Sequence, residues 1–87
     1  MERVQDVVII EGARTPIGRF GGSLKDVAAS ELGAIVIKEA VTRSGIDVSD
    51  VQEVIMGNSI QVTESGYAAR KAALGAGIPY TVPTMAV

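Results

Sequence analysis

The polar loop from Gly57 to Tyr67, GNSIQVTESGY, carries the side chains best placed to contact a ligand. It follows residues 53–56, which are predicted to form a strand ending at Gly57. In open α/β sheets, ligands bind at the carboxyl ends of the strands. Asn58, Ser59 and Gln61 are therefore predicted as possible site-lining residues. Their amide and hydroxyl groups form hydrogen bonds without specifying a reaction, and a plain solvated loop explains them equally well.

A second candidate is the glycine-containing stretch GARTPIGRFGG, from Gly12 to Gly22. Backbone N–H groups in such a loop could bind phosphate. The glycine spacing matches neither the dinucleotide-binding fingerprint nor the P-loop, and no Lys-Ser/Thr pair follows. A structured loop, with glycines at positive φ and an arginine held by backbone carbonyls, explains the stretch better. The residues assigned to this structural loop are Arg14, Thr15, Pro16, Gly18 and Gly21.

Other catalytic or metal-binding chemistry has little support. The sequence contains no cysteine and no histidine, so the usual thiol nucleophile and the commonest general base are both absent. Asp47, Asp50 and Glu53 are close in sequence, but a hard cation needs several oxygen atoms converging on one point, and a solvated turn explains these residues better. No metal or other cofactor is predicted, and Arg70 and Lys71 are interpreted as a solvated or interface helix face.

The composition indicates one small α/β domain. The chain has 87 residues, of which 47% are hydrophobic, and a net charge of −2. There is no basic stripe and few aromatic residues, which argues against nucleic-acid binding. The opening residues lack the pattern of a secretory signal, and no apolar run is long enough to cross a membrane. A cytoplasmic location is the expectation.

Hydrophobic periodicity predicts the order β-α-β-α-β. The continuous apolar run in residues 6–12 predicts a strand buried on both faces. Apolar residues at three- and four-residue steps predict a helix from Val27 to Ser44, which ends at Gly45. A capping box at Ser49 predicts one helical turn before the strand at 53–56. A second helix at 67–76 and a strand at 82–87 follow. This alternation predicts a parallel sheet with right-handed crossovers.

Three phrases of the sequence closely resemble the opening of thiolases, the acetyl-CoA acetyltransferases. They are VVIIEGARTPIGRFGGSLKDVAASELGAIVIKEAVTRSGI, VQEVIMGNSIQ and AARKAALGAGIPYTVPTMAV. The segment from Ala13 to Gly18, followed by Phe20-Gly21-Gly22, is the most specific part. The resemblance covers essentially the whole chain in order. It implies part of the N-terminal half of a thiolase-like fold, with parallel strands in the order 3-2-1.

The resemblance also implies an activity for a longer parent chain. That activity is a reversible Claisen condensation of acyl-CoA substrates through a cysteine acyl-enzyme, with the nucleophile expected just beyond Val87. The 87 residues alone are expected to be inactive and to contribute scaffold. A homo-oligomer, either dimer or tetramer, is implied. The implied dimer interface comprises Thr81, Val82, Pro83, Thr84, Met85, Ala86, Val87 and Arg70.

One departure and two alternatives accompany this resemblance. Many thiolases have Gln-Asn-Pro-Ala-Arg where this chain has Gly-Tyr-Ala-Ala-Arg at residues 66–70, so the shape of the preceding loop and the acyl-chain preference stay open. A non-catalytic subunit that completes the sheet of a partner fits the absence of cysteine and histidine equally well. A decarboxylating or scaffold relative of the thiolase superfamily is the other alternative. The apolar strand at 6–12 is expected to make the isolated chain self-associate.

Overall fold

A computed structural model describes residues 6–58 and 67–87. It contains helix α1 (Ala29–Ser44), a 3₁₀ turn (Val48–Asp50), strand β1 (Val54–Met56), helix α2 (Ala68–Gly75) and strand β2 (Thr84–Ala86). The two strands are parallel and adjacent. The α/β class, both helices and the last two strands of the predicted order are therefore confirmed, with bounds shorter by one to two residues at most ends.

Helix α1 begins at Ala29, after a series of turns that includes a hydrogen bond from the Val27 amide to the Leu24 carbonyl at 3.1 Å. It ends at Gly45, whose φ of 76° is the left-handed conformation that glycine adopts at low cost. An i,i+4 ion pair lies on the last turns of α1, where Nε of Arg43 is 2.9 Å from Oε1 of Glu39. Both side chains are half exposed, so this pair contributes little to stability.

The two helices approach each other closely where small residues face each other. A Cβ placed on Gly33 would lie 2.9 Å from the Cβ of Ala72 and 3.1 Å from the Cε of Met56. A Cβ on Gly75 would lie 3.2 Å from the Cβ of Ala34. Gly33 therefore allows α1 to approach both the sheet, at Met56, and the alanine-rich face of α2.

The sheet places the carboxyl ends of its two strands side by side. Val54 pairs with Thr84 and Met56 with Ala86, and the ladder continues beyond the strands through a 2.8 Å bond from the Asn58 amide to the Val87 carbonyl. Helices cover one face, where Val54 is buried. On the opposite face Ile55 is 56% exposed. The core lies between the helices and the covered face; its buried members are Val54, Ala73, Ala76, Ile78 and Val82.

Two local predictions are wrong in this structure. Residues 6–12 form no strand, and Val7 and Ile9 are 97% and 94% exposed. A strand buried on both faces needs a packed layer on each side, and the described residues place helices on one side of the sheet only. The 3₁₀ turn is capped by Asp47 rather than Ser49, because the Asp47 carboxylate reaches the Ser49 amide at 2.9 Å.

The exposed apolar segment from Val7 to Ile10 predicts self-association of the 87-residue chain. In sedimentation velocity, we expect the chain to form species larger than the monomer as its concentration rises. Substituting the two most exposed residues, V7K/I9K, is expected to shift the distribution towards monomer. The control S23K/T42K adds the same two charges elsewhere on exposed positions. An equal shift by the control would assign the effect to net charge, and a monomeric parent chain would contradict the prediction.

The contact between Gly33 and Ala72 predicts that Gly33→Ala destabilises the chain. Alanine favours a helix interior by about 1 kcal/mol over glycine. Overpacking a tight contact costs roughly 1–3 kcal/mol. A net loss of about 1 kcal/mol in the free energy of unfolding is expected, measured by urea titration with circular dichroism in the V7K/I9K background. Gly12→Ala is the control, since its Cβ would meet no atom within 4 Å. A stabilised Gly33→Ala variant would refute the tight contact.

Candidate functional site

The carboxyl edge of the sheet brings together the ends of both strands. Asn58 follows β1 and is partly buried. Its backbone N–H donates to the Val87 carbonyl at 2.8 Å. The Val87 amide in turn donates to the Met56 carbonyl at 2.8 Å. Of the residues predicted to line a site here, Asn58 therefore lies at the carboxyl edge. Ser59 and Gln61 lie outside the described residues.

Arg70 fixes the segment that leads into β2. It lies in the first turn of α2, and its Nη1 donates to the Val82 carbonyl at 2.8 Å. Its Nη2 donates to the Tyr80 carbonyl. One guanidinium therefore holds two backbone carbonyls in the same turn, using the fork of donors that lysine lacks. This role was missed in the sequence, where Arg70 was interpreted as a solvated or interface residue.

The segment predicted as a dimer interface has two distinct edges. Pro83 and Val87 direct their carbonyls towards β1, where they accept from the Val54 and Asn58 amides at 3.0 and 2.8 Å. Backbone groups alternate in direction along a parallel strand. Thr84 and Ala86 therefore direct their N–H and C=O groups to the other edge of β2. Val82 is buried, whereas Val87 is 65% exposed.

The glycine-containing loop, from Gly12 to Gly22, precedes α1. Gly18 and Gly21 have φ of 65° and 71°, in the left-handed region. The Thr15 hydroxyl donates to the Pro16 carbonyl at 3.2 Å, and Pro16 itself is exposed. Arg14 is exposed and lines an open concavity of about 400 Å³. The other residues that line this concavity are Gly12, Ala13 and Arg43.

The arginine held by a backbone carbonyl in this region is Arg43, not Arg14. Its Nη1 donates to the Gly12 carbonyl at 3.2 Å, while its Nε is paired with Glu39. The positive charge of Arg43 is thus already partly neutralised. The concavity is therefore an open surface beside the contact between Arg43 and Gly12, and it does not enclose a site for an anion.

The acidic residues near Asp47 serve the local turn. Asp47 accepts hydrogen bonds from the amide and the hydroxyl of Ser49 at 2.9 and 2.8 Å. These two bonds stabilise the charged form and lower the pKa of the Asp47 carboxyl below its ordinary value. Across residues 6–58 and 67–87, no three acidic, histidine or cysteine side chains are grouped as a metal site would require. No helix in the described part of the chain has the length and apolar character to cross a membrane.

Comparison with known families gives a match over nearly the whole chain. Residues 7–87 match the family described as "Thiolase, N-terminal domain". The match includes the glycine-containing loop, both helices and both strands of the structure. The elements that build the carboxyl edge of the sheet therefore all lie within the matched region.

Curated relatives agree with this match. The chain is 49% identical over 82 residues to an acetyl-CoA acetyltransferase of Cupriavidus necator, a match that covers 94% of this chain and 21% of that protein. It is 45% identical over 84 residues to the mitochondrial acetyl-CoA acetyltransferase of Danio rerio, covering 97% of this chain and 20% of that protein. It is also 45% identical over 84 residues to beta-ketothiolase BktB of Cupriavidus necator, covering 95% and 21%. The chain spans about a fifth of the length of these relatives.

Proposed function

Since this chain belongs to the thiolase family, we propose that it is the N-terminal segment of an acetyl-CoA C-acetyltransferase. The observation that carries the proposal is the match over residues 7–87, together with relatives named acetyl-CoA acetyltransferase at 45–49% identity. The substrates are acyl-CoA thioesters, and the enzyme requires no other cofactor. Because the chain spans about a fifth of those relatives, the activity is assigned to a longer protein that contains it.

The proposed reaction proceeds in two acyl transfers. A cysteine thiolate attacks the thioester carbon of one acyl-CoA and releases coenzyme A as its thiolate. A second acetyl-CoA then loses a proton from its methyl carbon, and that carbon attacks the enzyme thioester and releases the cysteine. The 87 residues contain neither cysteine nor histidine, so the nucleophile and the usual acid–base groups belong to other parts of the protein.

The proposed contribution of this segment is the position of the carboxyl edge. In the whole protein, residues 6–12 would pair with the free edge of β1 and give the strand order 3-2-1. The chain that continues from β2 would carry the nucleophile into the first turn of a helix. A thiol at a helix N-terminus has a lowered pKa and reacts faster at neutral pH. The direction in which β2 leaves the sheet would therefore affect both the geometry and the reactivity of the thiol.

The proposal includes a homo-oligomer, a dimer or a tetramer, with residues 81–87 at the interface. It is supported by the outward edge of β2, where no strand among the described residues pairs with Thr84 or Ala86. A cytoplasmic location is proposed from the composition alone. Some of the relatives carry the word mitochondrial in their names, and fractionation of the source cells distinguishes the two locations.

A chimera tests the proposed activity. The matching 82 residues of the Cupriavidus necator acetyl-CoA acetyltransferase are replaced by those of this chain, so that the rest of the enzyme supplies the cysteine and histidine side chains. If this chain is a thiolase segment, the purified chimera should cleave acetoacetyl-CoA in the presence of coenzyme A. We expect kcat within about tenfold of the parent. A misplacement of roughly 1 Å can lower the rate about 100-fold, so a smaller loss means that the segment keeps the site in position.

The control is a second chimera that carries the corresponding segment of beta-ketothiolase BktB, which is 45% identical to this chain over 84 residues. If that control is active and the chimera with this chain is folded but inactive, the segment is a non-catalytic scaffold or sheet-completing relative. The same result would contradict the proposed acyl transfer.

The outward edge of β2 predicts the effect of Ala86→Pro on assembly. Proline removes the N–H at this edge while leaving the bonds of Pro83 and Val87 to β1 in place. In the active chimera, we expect the dimer of the proline variant to dissociate at a concentration at least tenfold higher than the unsubstituted dimer does, measured by sedimentation equilibrium. Ala86→Val keeps the N–H and should retain the parent assembly. Equal assembly by both variants would place the interface elsewhere.

A further inference from the structure

The Arg70 side chain connects two elements that are separate in sequence. It originates in the first turn of α2 and contacts the backbone 10 and 12 residues later, at Tyr80 and Val82. The intervening segment is a turn closed by a 3.0 Å bond from the Val82 amide to the Pro79 carbonyl. The turn is therefore held both by its own backbone hydrogen bond and by the guanidinium of Arg70.

This contact starts from a packed helix. The buried residues of α2 are Ala68, Ala69, Ala72 and Ala73, and Ala72 lies against Gly33 of α1. Ala68 and Ala69 directly precede Arg70, and their relative exposures are 2% and 5%. The position of the guanidinium is therefore set by helix packing, and the two carbonyls are held relative to that packing.

The electrostatic setting of Arg70 favours a specific contact over a general surface role. A cation in the first turn of a helix lies against the positive end of the helix dipole. The first turn of α2 contains no acidic residue that would offset this charge. The two carbonyl acceptors supply that compensation, because their oxygens carry the partial negative charge that a guanidinium binds through its paired N–H groups.

The turn held by Arg70 leads directly into β2. Pro83 comes next and accepts a hydrogen bond from the Val54 amide at 3.0 Å. From Val82 to Val87 the extended chain covers roughly 16 Å, at about 3.3 Å per residue. A rotation of about 4° at Val82 would therefore move the far end of the segment by about 1 Å, and a displacement of that size at reacting atoms can change a rate by about 100-fold.

We infer that Arg70 is a positioning residue for acyl transfer: it fixes the direction in which β2 delivers the following chain to the carboxyl edge of the sheet. The inference rests on the proposed function and adds a residue that contacts neither substrate nor nucleophile. It acts through the carbonyls of Tyr80 and Val82, so its effect should appear in the chemical step rather than in substrate binding.

The test uses the active chimera described above, with Arg70→Met and Arg70→Lys. Arg70→Met removes both bonds, and we expect kcat to fall about 30-fold while KM changes less than threefold. Arg70→Lys keeps the charge but offers a single ammonium group in place of the fork, and should recover part of the loss. Arg43→Met is the matched control, because Arg43 also bonds a backbone carbonyl, that of Gly12, but not near β2. It should stay within twofold of the parent.

A second measurement separates positioning from a general loss of structure. The rate of alkylation of the nucleophilic cysteine by iodoacetamide is recorded against pH for each folded variant. If Arg70 aims the helix that carries the thiol, the midpoint of the profile for Arg70→Met should move to higher pH, because the thiolate loses part of its helix N-terminal stabilisation. The profile for Arg43→Met should not move.

The outcomes distinguish this inference from the proposed function. An inactive unsubstituted chimera beside an active BktB control would overturn the proposed function, and this inference with it. An active chimera in which Arg70→Met keeps kcat and the alkylation profile would overturn this inference alone. This inference alone would also be overturned if the activity of Arg70→Met per folded molecule, measured by titrating the reactive thiol, is unchanged. An equal loss of kcat in Arg43→Met would overturn it as well.

Discussion

The close approach of the two helices is the constraint on which the rest of the structure depends. At Gly33, α1 has no side chain, and this lets Ala72 of α2 and Met56 of β1 meet its backbone. Because α2 is mostly alanine on its buried face, its distance from α1 is set by backbone and methyl groups rather than by flexible side chains. This arrangement gives a thin core with little freedom to rearrange. The position of every group carried by α2, Arg70 included, follows from it.

The thin core also explains the strong asymmetry of the sheet. Val54 is buried beneath the helices, while Ile55 and Met85, which pair in register, are 56% and 46% exposed on the other face. A parallel sheet is normally covered on both faces. Residues 6–58 and 67–87 provide one covering layer, in agreement with a chain that spans about a fifth of its relatives. The apolar run at Val7 to Ile10 is left without a layer for the same reason.

Local sequence signals predicted the elements whose partners lie within the chain. The period of α1 and the glycine at its end follow from local rules, and the carboxyl edge follows from the geometry of parallel strands. The strand at 6–12 was predicted wrongly, because its apolar pattern requires a packed layer on each face and the described part of the chain supplies one such layer. The cap at Asp47 was assigned to Ser49, since both residue types cap helices and only the backbone angles decide between them.

Arg70 shows why part of the site could not be predicted. Its acceptors are the carbonyls of Tyr80 and Val82, and every residue type carries a carbonyl, so no side-chain pattern marks the contact. The signal that was present is its unfavourable place at a helix N-terminus without an acidic neighbour. The geometry of the segment depends on small side chains and backbone acceptors. One added methyl group at the helix contact therefore disturbs this geometry more than the loss of a surface charge does.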